Sequence, residues 1–299
     1  METIFKETQM QVAYSTKKSK TSQIEKCGKL RATIIEKLSI LMSTAAPEEF
    51  DGADDFLCEL ESAAPSFDVG FESHSIDAVD RTLSMLSGPF FTTKKYPIPS
   101  TGNKKAYPVV QLDLRLASTI SGIALGDGLL QLWYMKKGKT GEGIVRVIPR
   151  SEVTEKKQTA FEWIPFSEKK LFQLPLPMFN WDSAAEGPEV KIISDIFSMG
   201  IMFGGCNLSS YCNAEIPKNL ETQIDRFVRL SSPERSSVIS LFGPFWTCNS
   251  YDDHDEVDRS NERCLLSITD WDNWGGAEIA YQIGRRGKAV FRFREGQNL

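Results

Sequence analysis

The sequence GLLQLWYMKKGKTGEGIVRVIP, residues 128–149, has the pattern of two β-strands joined by a glycine-containing turn. Its β-branched and aromatic runs, at residues 129–135 and 144–148, favour strands, and glycine adopts the positive φ angles that tight hairpin turns need. The preceding segments SGPFFTTKKYPIP (residues 87–99) and YPVVQLDL (residues 107–114) add a turn-rich opening and a further strand at 109–114. The block therefore predicts antiparallel β-structure.

A cruder copy of this block returns near the C-terminus. It consists of FGPFWTCNSYDD (residues 242–253), RCLLSITDW (263–271) and EIAYQIGRRGKAVFRFRE (278–295). The last segment is the clearest hairpin, and its alternation places Phe291 and Phe293 on the core face. Because each copy offers too few strands to bury a core alone, we expect one pseudo-duplicated antiparallel sheet body.

The first 86 residues differ from the rest, since their apolar residues recur at helical steps. Residues 24–41 predict a helix with Ser22 as N-cap that ends before Pro47. A short helix is expected around Phe56 to Leu60, and a third from Ser75 to Leu86. The prediction is an α+β fold: a helical region at 1–86, then a domain at 87–299 whose two β units, 87–149 and 241–295, are joined by a loop and helix connection.

The composition excludes several classes of protein. The formal net charge of −5 argues against a general nucleic-acid binder, because phosphate contacts need clustered Lys and Arg. The N-terminus lacks the apolar stretch of an export signal, and no window reaches the length of a membrane helix. The six cysteines lack metal-site spacing and favour reduced, mostly buried thiols. We therefore expect a cytoplasmic protein without a membrane or direct nucleic-acid partner.

No recognisable catalytic constellation appears in the sequence. The two histidines, His74 and His254, give little material for a nucleophile, a base or a metal site, and the acidic surroundings of His254 lack the EF-hand pattern. The glycines before Cys206 lack the spacing of a phosphate loop. The sequence thus predicts no enzyme, no cofactor and no metal.

Two acidic segments stand out as candidate binding surfaces. The first, residues 47–65, contains seven carboxylates and no basic residue, and the second is YDDHDEVD, residues 251–258. A solvated helix face is the simpler explanation of the first, and a partner-facing patch is the alternative. The candidate partner-binding residues are Glu48, Glu49, Asp51, Asp54, Asp55, Asp252, Asp253, Asp255, Glu256 and Asp258, with Tyr251 and Trp246 as aromatic anchors.

The motifs GPFF, YPVVQLDL, GDGLLQLWY and CLLSITDWDNWGGAEIAYQIGRRGKAVFRFRE resemble the bacterial YwqG-like domain across residues 88–295. On that resemblance the signature positions include Gln111, Asp113, Gly128, Gln131, Asp270 and Trp274. The opening differs, since the family's Gly-Gly-x-Pro is reduced to residues 87–89, and the aspartate expected before a glycine in the last motif is displaced. The family is similar to immunity proteins found beside secreted polymorphic toxins, including type VI-secreted nucleases, so the resemblance implies a cognate toxin partner.

The leading hypothesis is a cytoplasmic immunity protein that binds a toxin, most simply a nuclease domain, and occludes its active site. An acidic inhibitor suits a basic, phosphate-binding cleft. One alternative is a small-ligand or metal-dependent enzyme that uses carboxylates such as Asp113, Asp270 and Asp272. Another is a structural adaptor that binds a partner through the N-terminal helices.

Overall fold

The structure is a computed structural model that describes residues 17–44, 49–50, 53–75, 79–86, 88–137, 140–160, 189–202, 208, 215–231, 239–243, 262–268 and 277–295. Within these ranges, two helices precede residue 63, and antiparallel β-structure dominates after it. The predicted α+β class is confirmed.

The described helices are α1 (Lys17–Thr44), α2 (Ala53–Ser62), α3 (Leu114–Ser121) and α4 (Lys218–Ser231). The described strands are β1 (Ala64–Ser75), β2 (Met85–Leu86), β3 (Ser100–Thr101), β4 (Lys104–Lys105), β5 (Tyr107–Asp113), β6 (Gly128–Lys137), β7 (Thr140–Pro149), β8 (Glu189–Met202), β9 (Ile239–Phe242), β10 (Arg263–Ile268), β11 (Ala277–Ile283) and β12 (Ala289–Glu295).

The chain forms two compact units. Unit 1 comprises residues 1–68 and 195–244, and unit 2 comprises residues 69–194 and 245–299. The divisions fall after residues 68, 194 and 244.

Unit 1 has a helical core in which α1 and α2 pack with α4. The predicted apolar face of α1 is confirmed, since Cys27, Ile34 and Leu38 are fully buried. The cluster also contains Phe50, Ala53, Phe56, Leu60, Ala63, Leu208, Leu220, Ile224 and Phe227. Because α4 supplies three of these side chains, residues 1–86 alone do not contain the whole apolar core of the N-terminal helices. In the same unit, β1 pairs antiparallel with β9.

Unit 2 contains two antiparallel series that match the predicted copies. In the first, β5 pairs with β6 and β6 with β7, while β2 joins β5 to β8. In the second, β10 pairs with β11 and β11 with β12. The two hairpins predicted from residues 128–149 and 278–295 are therefore confirmed. The final strands of the two series meet where Gly143 of β7 lies against the ring of Phe293 of β12.

Three local predictions are wrong. Helix α1 begins at Lys17, so Ser22 lies inside it and is not its N-cap. Strand β1 is absent from the prediction. The helix expected from Ser75 to Leu86 does not form: β1 extends to Ser75, and a turn and strand β2 occupy residues 81–86.

The failure of the third helix has an identifiable cause. Oδ1 of Asp80 accepts a hydrogen bond of 2.9 Å from the backbone N–H of Thr82, which is the local turn that Asp favours over a helix. Backbone N–H of Leu83 then donates to the carbonyl of Asp80. Met85 and Leu86 pair with two neighbouring strands, and this long-range pairing outweighs the helical periodicity of the segment.

Candidate functional site

A row of buried polar residues crosses the sheet of unit 2. Gln111 on β5 lies opposite Gln131 on β6, which lies opposite Arg146 on β7. Both glutamine side chains are fully buried among apolar strand residues. Buried polar groups are costly unless they are hydrogen-bonded, so the partners of this row explain why the sheet tolerates it.

The two glutamines bind each other and the loop that opens the first copy. Gln131 Nε2 donates to Gln111 Oε1 at 2.7 Å and to the Phe91 carbonyl at 2.7 Å. Gln111 Oε1 also accepts from the Phe91 backbone N–H at 3.0 Å. Gln111 Nε2 donates to the carbonyls of Arg81 and Leu83. The glutamines therefore hold both backbone groups of Phe91 as a neighbouring strand would.

Arg81 also binds the loop at residues 88–92. Its guanidinium donates to the carbonyls of Pro89 and Phe90, to Thr92 Oγ1 and to the Thr159 carbonyl, over distances from 2.5 to 3.1 Å. Burial lowers the pKa of this guanidinium from its ordinary value to about 10, so it remains charged at neutral pH. A buried arginine thus connects loop 88–92 to residue 159.

At the β7 end of the row, Arg146 lies over the ring of Trp133. Arg146 Nε donates to Gln131 Oε1 at 2.9 Å, and its terminal nitrogens donate to the carbonyls of Pro97 and Tyr96. Its guanidinium lies 5.2 Å from the ring centroid of Trp133, a cation–π distance. Burial lowers the pKa of Arg146 to about 10. The row therefore anchors the loop at residues 96–97 as well as at Phe91.

Asp113, another signature position, caps a helix and pairs with arginines. Its Oδ1 accepts from the Arg115 backbone N–H at 3.0 Å, which caps α3 at its N-terminus. Its Oδ2 accepts from Arg150 Nη2 at 2.5 Å and from Arg115 Nη2 at 3.3 Å. Both oxygens of Asp113 are thus committed to structural contacts. The prediction extended strand 109–114 to Leu114, whereas Leu114 is the first residue of α3.

Gly128 is required by close approach of two strands. Its φ is +149°, and a Cβ at this position would lie 2.2 Å from the Ile148 carbonyl oxygen of β7. Any other residue would force β6 and β7 apart where they begin to pair. The signature positions Gln111, Asp113, Gly128 and Gln131 therefore all have structural roles.

The second copy has a polar row at the corresponding position. Ser267 on β10 lies opposite Glu278 on β11, which lies opposite Arg294 on β12. Ser267 and Glu278 are fully buried, and their side-chain oxygens lie 3.5 Å apart. Arg294 Nε lies 3.6 Å from a carboxylate oxygen of the buried Glu262. The two copies thus share both the order of strands and the place of a buried polar row.

The first acidic segment lies partly on α2. Phe56 and Leu60 bury the apolar face of this helix, while Asp54, Asp55 and Glu61 are exposed. Glu49, ahead of the helix, is also exposed. The short helix predicted around Phe56 and Leu60 is confirmed, and its exposed carboxylates form a negative surface, here called the α2 acidic face (Glu49, Asp54, Asp55, Glu61).

The other candidate residues lie outside the described residues. They are Glu48, Asp51, Trp246, Tyr251, Asp252, Asp253, Asp255, Glu256, Asp258, Asp270 and Trp274.

Within the described part of the chain, no three His, Cys, Asp or Glu side chains come close enough to hold a metal ion. Cys27 and Cys264 are buried thiols, and Cys58 is an exposed thiol. None of the helices in these ranges combines the length and the apolar composition needed to cross a membrane.

The sequence patterns did not identify two residues that organise the site, Arg81 and Arg146. Arg146 interrupts the apolar run GIVRVIP, and a charged residue within such a strand is a usable signal of a buried polar contact. Arg81 has no comparable signal, because its partners lie in segments separated from it in the chain.

A scan against protein-family models finds no match, and a comparison with curated proteins finds no significant match. The resemblance to the YwqG-like domain stays a prediction that rests on the quoted motifs.

Proposed function

We propose that this chain is a cytoplasmic immunity protein that binds a cognate secreted toxin and occludes its active site. The observation that carries the proposal is the α2 acidic face, which presents fixed carboxylates from a helix anchored in a core. The proposed partner is a nuclease domain, because a nuclease cleft is basic in order to hold phosphate.

The packing of α2 against the core fixes the orientation of its charged face. Ala53, Phe56 and Leu60 are fully buried, so the helix cannot rotate without exposing them. Asp54 and Asp55 lie in its first turn, where the helix dipole favours negative charge. Residues 47–65 contain no Lys or Arg to neutralise the carboxylates locally.

A fixed negative surface favours a basic partner in two ways. Opposite potentials accelerate encounter, and like charges penalise wrong partners. A stable inhibitory interface buries roughly 1,600 Å² in total, which is more than four carboxylates provide. We therefore expect apolar or aromatic anchors beside the charges, for which Trp246 and Tyr251 remain the sequence candidates, together with the acidic residues 252–258.

The direct test is binding to the product of the adjacent gene. Purified full-length protein is titrated with that product by calorimetry at low and at high salt, and inhibition of the partner's nuclease activity is measured in parallel. We expect a one-to-one complex whose affinity falls with salt. If neither that product nor any secreted nuclease domain binds, the proposal fails, and a metal and small-molecule stability screen would then test the enzymatic alternative.

A matched pair of variants locates the surface. Asp54→Asn, Asp55→Asn and Glu61→Gln together remove three charges from the α2 acidic face. Glu36→Gln, Glu221→Gln and Asp225→Asn remove three exposed charges from α1 and α4. We expect the first triple to weaken the complex by about tenfold and to reduce its salt dependence, and the second to change it little. Equal effects of the two triples would show that α2 is not the interface.

A further inference from the structure

The hairpin between β11 and β12 ends in a compact basic turn. Gly284 N–H donates to the Lys288 carbonyl at 3.0 Å, and Gly287 N–H donates to the Gly284 carbonyl at 2.8 Å. Gly287 has a φ of +69°, which a side chain would disfavour. The turn is thus held in one conformation by its own backbone.

The three cations of this turn have no partner among the described residues. Arg285, Arg286 and Lys288 are exposed, and no hydrogen bond or ion pair involves their side chains within those ranges. Two other arginines of the same hairpin are engaged differently, because Arg292 and Arg294 pair with the buried Glu262. No carboxylate of the described ranges neutralises these three positive charges, on a chain whose net charge is −5.

Exposed aliphatic side chains flank the cations. Ile283 is 43% exposed and Val290 is 49% exposed. Within the described residues only three large apolar side chains are exposed, and these are two of them. In the register of the hairpin, Ile283 lies opposite Ala289 and Val290 opposite Gln282, so the two side chains lie on opposite faces of the ribbon. Each face thus presents an apolar group next to the charged turn.

The sequence of the first copy also has cations at this place. Lys136 and Lys137 are the last residues of β6, and Lys139 precedes β7. In sequence, both terminal hairpins of the duplicated block therefore have three cations at or next to their turns. This recurrence indicates that the basic turn belongs to the repeated unit, and the argument that follows uses only the β11–β12 hairpin.

We propose that the β11–β12 hairpin tip (Ile283, Arg285, Arg286, Lys288, Val290) is a second docking surface, whose partner is a protein segment with clustered carboxylates beside aliphatic side chains. Guanidinium groups bind carboxylates through paired hydrogen bonds, and Arg beside apolar side chains is typical of interface hot spots. The surface is independent of the α2 acidic face, since it selects a partner of the opposite charge.

The geometry disfavours the other anionic partners. A membrane-inserting element places its apolar groups deepest, whereas here the cations occupy the tip and the aliphatic groups lie behind them. Residues 284–288 contain no aromatic side chain on which a base could stack, which disfavours single-stranded nucleic acid as the partner.

The test uses the full chain and two labelled peptides of equal length and charge, one of Glu-Glu-Leu repeats and one of Glu-Glu-Ser repeats. Binding is measured by fluorescence anisotropy. We expect the Leu-containing peptide to bind more tightly, because only its leucines gain an apolar contact, with Ile283 on one face of the hairpin or with Val290 on the other. A short DNA duplex and anionic lipid vesicles serve as competing probes, and we expect neither to bind through the hairpin tip. Absence of peptide binding, or tighter binding of DNA or vesicles that depends on the same cations, would overturn the proposal.

Variants assign the binding to the hairpin. Arg285→Gln, Arg286→Gln and Lys288→Gln together should weaken peptide binding by about tenfold. The control Lys218→Gln, Arg226→Gln and Arg229→Gln removes two arginines and one lysine, all exposed, from α4 and should leave binding unchanged. Ile283→Ser together with Val290→Ser should abolish the preference for the Leu-containing peptide and leave the affinity for the Ser-containing peptide unchanged. An equal loss in the α4 control would reduce the effect to non-specific charge attraction and refute the docking surface.

Discussion

Gln131 Nε2 donates a hydrogen bond of 2.7 Å to Gln111 Oε1 across strands β6 and β5, inside an otherwise apolar layer. The pair replaces a strand that the sheet lacks at this place, because its amides bind both backbone groups of Phe91. Loop 88–99 can therefore lie on the sheet without leaving buried donors or acceptors unpaired. These two side chains couple the opening motif of the first copy to its strands.

Replacement of Gln131 tests this coupling. Gln131→Leu keeps the volume but leaves the Trp133 indole N–H, the Phe91 carbonyl and Arg146 Nε without their shared partner. We expect the free energy of unfolding, measured in urea, to fall by about 3 kcal/mol or more, since each buried unsatisfied group costs 1–3 kcal/mol. The half-buried Gln282 is a control, and Gln282→Leu should change the free energy of unfolding by about 0.5 kcal/mol or less. Similar losses in the two variants would contradict the proposed role.

The contact between the final strands of the two copies makes a second prediction. A Cβ on Gly143 would lie 2.2 Å from atoms of the Phe293 ring, so Gly143→Ala forces this ring to move. We expect a loss of about 1–3 kcal/mol in unfolding free energy from the added methyl group. Gly284→Ala is the control, because its nearest atom beyond the adjacent residues is 3.4 Å away.

A double-mutant cycle isolates that contact. Phe293→Ala removes the ring and destabilises the protein, but it also makes room for a side chain at position 143. The double variant should therefore be more stable than the sum of the two single changes predicts, by about 1 kcal/mol. Strict additivity would show that Gly143 and Phe293 do not meet.

The role of Asp113 as the N-cap of α3 can be tested by comparing two substitutions. Asp113→Asn keeps an oxygen that can cap α3 but removes the charge that pairs with Arg150, whereas Asp113→Ala removes both. We expect unfolding in urea to show that the alanine variant is less stable than the asparagine variant by about 1 kcal/mol, the usual value of an N-cap. Equal stability of the two variants would exclude the capping role.

The pH dependence of one exposed contact follows from a lowered pKa. The Lys157 ammonium donates to the Glu152 carboxylate at 2.9 Å and, with its charge and that of Lys95, holds the pKa of Glu152 below its ordinary value of 4.5. The ionised carboxylate thus favours the folded state above its unfolded pKa, and this contribution is lost as pH falls through the folded pKa. Lys157→Ala should raise the Glu152 pKa in an NMR titration, and an unchanged titration would show that the contact is absent in solution.

The two hairpins and the amphipathic helices were predictable because their signals are local. Alternation in residues 289–294 and glycines at the turns specify a hairpin without reference to the rest of the chain. The helix at residues 24–41 was predicted from its apolar face for the same reason. The helix from Ser75 to Leu86 was a false prediction, because residues 85–86 pair with distant strands that no local pattern announces.

The candidate site also has features that are local in the sequence and features that depend on distant residues. The acidic character of α2 is a local property, and the structure adds that Phe56 and Leu60 anchor it. The roles of Gln111 and Gln131 could not be read from their motifs, since hydrogen-bond partners 20 to 40 residues away define them. Asp113 has a local role as the cap of α3 and a distant partner in Arg150. The resemblance singled out these positions without indicating that their side chains are used within the fold.

The sequence by itself determined the α+β class, the duplicated strand blocks and the charge of the exposed surfaces, because periodicity, turn residues and net charge act over short stretches. Only the tertiary structure decided that α4 completes the core of the N-terminal helices, that Arg81 connects loop 88–92 to residue 159, and that each copy buries one polar row. These features depend on contacts between residues distant in the chain, whose free energy appears only when the intervening segments are folded.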